Sequence, residues 1–243
     1  PALTAEPEVL GHFVLANASQ LLADVKTQLV PPKYAGMLEE AALRSMISIA
    51  LDTRGNLAMN YDLAAPLGCV VVEPGPPTPQ VSCVFGYKGG AKAFTVDLGD
   101  ENRKPDASGH TAAYGIEGQV AYIDALGDNV VVSSGADTFG KTQAYLQRNI
   151  LERASKIHGD IEVVAYVSTI FDRYRSVLDP LFKAMNSQPP PPTGNPAVDG
   201  MMQAFNSYSQ RSSENTAQRI AEVAQFSLFF SLEPEGLAIG GAL

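Results

Sequence analysis

Four residues in this chain have the types and the spacing of a phosphate grip. Gly135, Gly140, Lys141 and Thr142 satisfy the pattern G-x-x-x-x-G-K-[ST], and they lie where such a motif must lie, after the apolar run NVVVSS and at the start of a helical pattern. In a loop of that kind backbone N–H groups surround the phosphates, the lysine reaches their charge, and the hydroxyl holds a magnesium ion at the helix N-terminus. A plainer assignment uses the same residues. Asp137 or Thr138 caps a helix, Phe139, Leu146 and Ile150 form its buried stripe, Gly140 permits close packing in the first turn, and Lys141 and Thr142 face solvent.

The surroundings favour the plainer assignment. Nucleotide hydrolysis also needs an acid at the end of a second apolar strand, to position magnesium and water. The near match, VAYID ending at Asp124, precedes the loop, whereas IEVVAYV downstream ends in Ser168-Thr169 with no acid, and no N-K-x-D pattern occurs. The strands before Ser133 are spaced as an antiparallel meander, which conflicts with the parallel sheet that phosphate-loop proteins are built on. No catalytic, cofactor or metal residue is therefore assigned, and no cofactor is expected; Gly135, Gly140, Lys141 and Thr142 define the alternative, a nucleotide-binding protein using residues 135–142.

Other residues with chemical potential are scattered. Asp97, Asp100, Glu101, Asn102 and Asp106 supply oxygen ligands but lack the D-x-D-x-D-G order of a calcium loop, so a solvated turn is expected. His12, His110 and His158 make no metal-ligand spacing and are expected at strand edges or in loops. Ser133 and Ser134 sit in V-S-S-G-A and not in G-x-S-x-G, the setting of an exposed nucleophile. Met201, Met202, Phe205 and Tyr208 make an apolar stripe that fits a partner groove but is read first as core or as cover for the remainder of the second copy.

The elements that must position these residues follow from composition and periodicity. A chain of 243 residues with 45% apolar and 18% charged side chains can bury one or two cores. A formal net charge of -9, without a long basic run, argues against nucleic acid or an anionic bilayer as the partner. No apolar run approaches the ~20 residues of a membrane helix. Cys69 and Cys83 flank the turn PGPPTP; if their strands form a hairpin the thiols can bridge, as suits an exported protein, and otherwise they are buried free thiols.

In chain order, GHFVLA reads as a strand, Asn17 or Ser19 caps a helix carrying Leu21, Leu22, Val25 and Leu29, and Pro31-Pro32 stops it. A second helix is expected over 37–51, and Arg54-Gly55-Asn56 as a turn. Strands follow at 67–73 and 81–87; AKAFTVDLGD fits either a short helix or an edge strand. TAAYGIEG, QVAYIDALG and NVVVSS make the meander, and a helix after Asp137 closes a unit. From His158 the pattern starts again: IEVVAYV leads into a helix with Phe171, Tyr174, Val177 and Leu181, at an offset of ~152 residues, which is domain-sized. Proline, a helix over about 197–226 and the hairpin SLFFSLEPEGLAIGGAL complete it.

That order, strand, helix, helix, hairpin and a meander ending in GDNVVVSS, followed by a second start, resembles uncharacterised bacterial exported or lipoprotein-like proteins built from tandem α+β halves. Gly127 to Ser134 with the helix after it, and Glu235-Gly236-Leu237 in the last hairpin, carry the resemblance. It implies an extracytoplasmic location, no established activity and no catalytic residues. The expectation is an α+β protein: an antiparallel-rich mixed sheet with helices packed on one face, one complete unit at 9–157 and the first half of a similar one at 158–243. Its expected role is a non-catalytic exported binding or scaffold module. The apolar edge Leu237 to Leu243 is expected to cause concentration-dependent self-association.

Overall fold

In the computed structural model of the chain, residues 8–31, 33–34, 39–42, 44–45, 55–73, 79–99, 103–104, 109–116, 119–186, 223–233 and 236–242 are described. The second expected helix lies largely outside them, as does the 197–226 helix with Met201, Met202, Phe205 and Tyr208. Strand β1 (Val9–Leu15) leads into helix α1 (Ala18–Gln28), and Asn17 caps it as its type demands, its side-chain oxygen accepting the Gln20 N–H at 2.8 Å. The glycine of the expected turn at 54–56 instead opens a short helix, α2 (Gly55–Asn60). Arg44 holds its C-terminal end: Nη1 donates to the carbonyls of Ala58, Met59 and Tyr61 at 2.9, 3.2 and 2.6 Å, groups that a helix end leaves without partners.

Strands β2 (Tyr61–Asp62), β3 (Leu67–Val72) and β4 (Gln80–Tyr87) follow. Helix α3 (Gly90–Asp97) resolves the ambiguous AKAFTVDLGD; Gly89 at φ 86° turns the chain into it. The meander then runs through β5 (Arg103–Lys104), β6 (Ala112–Ile116), β7 (Gln119–Leu126) and β8 (Asn129–Ser133), into α4 (Thr138–Tyr145) and its π-helical continuation, Leu146–Leu151. Strand β9 (Ile161–Ala165), helix α5 (Val167–Asn186) and the hairpin β10 (Phe226–Glu233) and β11 (Gly236–Ala242) complete it.

The strands form one eleven-stranded sheet in the order β11-β10-β9-β1-β3-β4-β8-β7-β6-β5, with β2 added on β4. The Ala16 N–H donates to the Asp160 carbonyl at 3.0 Å, joining the end of β1 to the start of β9, so these neighbours run antiparallel. The boundary expected at His158 therefore meets a continuous sheet. The strand beyond it inserts next to β1, and the compact units are residues 1–164 with 227–242, and residues 165–226 with 243. Among the described residues no helix is long and apolar enough to cross a membrane.

The α+β class holds, but helices cover both faces of the sheet, not one. On one face Phe85 and Tyr87 of β4 pack with Leu57, Tyr61, Ala91, Phe94, Leu98, Ile123 and Val130. Their rings meet edge-on or tilted, Tyr61 lying 5.1 Å from Phe85 and Tyr87 5.1 Å from Phe94. Burial pushes both tyrosine hydroxyls well above the ordinary range, Tyr87 further raised by its bond to the Asp97 carboxylate at 2.6 Å. On the other face Gly68, the cross-strand partner of Val84, lies under the π-helical turn, where a Cβ would run into Ile150 Cγ2 and the Phe13 carbonyl. Because side chains alternate along β4, Val84 and Phe85 point to opposite layers.

The hairpin β3–β4 sets Cys69 directly opposite Cys83, and the two form a disulfide. Bridging is the outcome that this register permits.

Candidate functional site

The β8–α4 junction is built from the outside in. Ser133, fully buried, shares a hydrogen bond with Ser82 at 2.6 Å across β4, and the Ser134 hydroxyl accepts the Val81 N–H at 2.9 Å. Ser133 is sealed inside, and the exposed Ser134 serves as a backbone acceptor. Gly135 then makes room for the Gln80 carboxamide, whose atoms occupy the space where a Cβ would stand. The Thr138 hydroxyl donates to Gln80 Oε1, and the Thr138 N–H donates to the Gly135 carbonyl at 3.1 Å. An anion in this turn would have to displace a hydrogen-bonded amide side chain.

The remaining residues of the grip point elsewhere. Thr142 is fully buried and donates to the Thr138 carbonyl at 2.8 Å, a bond within the helix. Expected in solvent, it is drawn inward because the fifth position of α4, one turn after the buried Thr138, falls on the face that meets the sheet. Lys141 is exposed, and its Nζ lies 3.4 Å from Glu8 Oε2. Gly140 has open space where close packing was expected, with nothing within 4 Å of a Cβ, and Asp137 occupies the cap position without a side-chain bond. The sheet below is antiparallel at β4–β8 and β7–β8.

Along the same helix a polar chain crosses the core. Tyr145 ends α4, and its hydroxyl lies 2.6 Å from His12 Nδ1 on β1. His12 Nε2 lies 3.4 Å from Glu162 Oε1 on β9, and Arg153 closes the chain, Nη1 2.8 Å from Oε1 and Nη2 donating to Oε2 at 3.0 Å. Of the two imidazole nitrogens, Nε2 therefore faces the carboxylate and Nδ1 the tyrosine hydroxyl. Tyr145, His12 and Glu162 are 0, 3 and 0% exposed, so the tyrosine–histidine–carboxylate order of a proton relay is sealed from solvent, and it acts as a tie between β1, β9 and α4. His12 is thus a core residue in mid-strand and not at an edge. The sequence signal was a lone polar residue at an inward position of each strand, His12 in GHFVLA and Glu162 in IEVVAYV.

The other candidates are dispersed. Asp124, the acid of the VAYID match, is buried and accepts from His110 Nδ1 at 2.9 Å through both oxygens. His158 stacks edge-on against Phe229 at 5.5 Å. Asp97 accepts from Tyr87 and, at 2.8 Å, from Asn60, whereas Asp100, Glu101, Asn102 and Asp106 lie outside the described residues. Among the described residues no group of three or more His, Cys, Asp or Glu is placed to hold a metal ion. Among the described residues, three buried polar groups that the sequence pattern did not flag have atoms with no hydrogen-bond partner: the Tyr61 hydroxyl, both carboxylate oxygens of Glu73, and Arg153 Nη1, which meets Glu162 as an ion pair only.

Comparison of the chain with models of known families, with curated proteins and with solved structures yields no match.

Proposed function

We propose that the chain is a non-catalytic, extracytoplasmic binding or scaffold module, built from two α+β halves that share one sheet. One observation carries the first part. The Gln80 carboxamide sits on Gly135 and is bonded to Thr138, in the space that a phosphate needs, while Thr142, the magnesium ligand of a nucleotide site, is buried and spent on its own helix. The Cys69–Cys83 bridge supports an oxidising compartment. The strand order supports the two halves, since β1-β3-β4 and β9-β10-β11 lead outward in the same way from the central β9–β1 pair. The absence of basic runs and the charge of -9 direct the partner away from nucleic acid.

The experiment is thermal unfolding with and without millimolar magnesium-ATP or magnesium-GTP. A ligand that binds only the folded state raises Tm by mass action. No shift is expected, in the wild type or in Lys141→Ala. A shift that Lys141→Ala abolishes would replace this reading with the nucleotide-binding one at residues 135–142.

A further inference from the structure

Among the described residues the strand that ends the sheet, β11, has one strand neighbour, β10, and its outer row of N–H and C=O groups faces no other strand. Exposed edges are ordinarily blunted by charge, proline or a bulge, because they template pairing with another chain. Gly236–Ala242, GLAIGGA, carries no charge and no proline, and its pairing with β10 is unbroken over seven residues. Two large apolar side chains stand out from it on one face, Leu237 at 58% and Ile239 at 62% exposure. We propose that β11 is a dimerisation strand, pairing antiparallel with β11 of a second copy about a two-fold axis at Ile239, so that two sheets become one.

Three observations select a second copy. The first is self-complementarity. Centred on Ile239, the two-fold register sets Leu237 opposite Gly241 of the other strand, twice, and Ile239 opposite itself, so each large side chain meets a gap or its own equal. Gly240 and Gly241 are small for a reason: a Cβ on Gly240 would meet Phe229 Cδ2 at 3.3 Å, and one on Gly241 would meet the Ser227 carbonyl at 3.3 Å. The second is charge. The strand carries none, so two copies meet there without setting like charges opposite each other. The third is the corresponding place on the other side of the β9–β1 pair. There β4 holds the position that β11 holds here, and its outer edge is filled by an antiparallel apolar strand, β8, from Gly86↔Asn129 to Ser82↔Ser133. The inference stands on the sheet edge alone, independently of the compartment and of the β8–α4 junction.

Sedimentation velocity over a concentration range tests it with three variants. The wild type is expected to pass from monomer to dimer as concentration rises. Ile239→Lys sets like charges directly opposite each other and is expected to weaken association by at least about tenfold, and mixing it with Ile239→Glu to restore it. With Cys69 and Cys83 already bridged, Ile239→Cys is expected to form a disulfide-linked dimer on mild oxidation, and Leu237→Cys, facing Gly241, far less. A wild type that stays monomeric at every concentration overturns the proposal. So does a dimer that Ile239→Lys leaves intact, because the contact would then lie elsewhere or belong to another occupant.

Discussion

The two faces of the sheet are stabilised in different ways. The face under α2 and α3 is an aromatic layer in which Tyr61, Phe85, Tyr87 and Phe94 pack edge to face, and little directional bonding is asked of it. The face under α4 is laced with polar side chains: Ser82 to Ser133, Gln80 to Thr138, and the run Tyr145–His12–Glu162–Arg153. Burial of apolar area is non-directional and tolerates repacking, whereas a satisfied polar network tolerates one geometry and penalises every other. The aromatic face supplies cohesion. The polar face fixes which helix lies on which strands, and it ties β9 to β1 across about 150 residues of chain.

The largest test of that contrast is at Glu162. Arg153→Ala leaves a fully buried carboxylate with only the long contact to His12, and is expected to cost about 3 kcal/mol in urea unfolding. The double variant Glu162→Leu with Arg153→Met should recover most of it; if it is as unstable as the single change, the network contributes more than mutual neutralisation. Replacing Cys69 and Cys83 together by serine should cost about 2–3 kcal/mol, as for a short closed loop, with no change in the far-UV spectrum.

Alkaline titration acts on the aromatic face through Tyr61 and Tyr87. Tyr61 and Tyr87 keep their protons in the fold above the pH at which the unfolded chain releases them, so their contribution is complete below about pH 10 and declines above it, by up to about 1.4 kcal/mol per tyrosine per pH unit. Tyrosinate absorbance that rises only together with unfolding would agree; ionisation in the folded state would not.

The smallest test pits two tyrosines against each other. Tyr145→Phe removes the partner of His12 and should cost about 1 kcal/mol, whereas Tyr61→Phe removes a hydroxyl that has no partner and should be neutral or stabilising, with Glu73→Gln in the same direction. Equal losses from both tyrosines would erase the distinction between the faces.

Much of this was legible wherever local chemistry decides. Asn17 announces its cap, short apolar runs at meander spacing announce β7 and β8, and Asp137 precedes a helix. The facing cysteines required only the hairpin. What local pattern does not contain is the partner of each face. Helix α3 is eight residues long with apolar positions on more than one side, so periodicity could not separate it from a strand, and tertiary packing under Phe94 decides. Thr142 looks like a surface residue by type but falls on the stripe that meets the sheet, where its hydroxyl is accommodated by the carbonyl four residues back. That IEVVAYV forms a strand was legible, but that it enters the same sheet and does not found a new one depends on the open edge of β1 and on a buried histidine waiting for a carboxylate.

That open edge also sets an order of events at the ribosome. Strand β1 is synthesised well before its neighbour on one side, which begins only at Ile161. Until that segment is synthesised, the nascent chain carries an unfilled sheet border, with His12 lacking its carboxylate. Strand-binding chaperones would find their opening in that interval, and a ribosome stalled before residue 161 would hold a species prone to pairing with its neighbours.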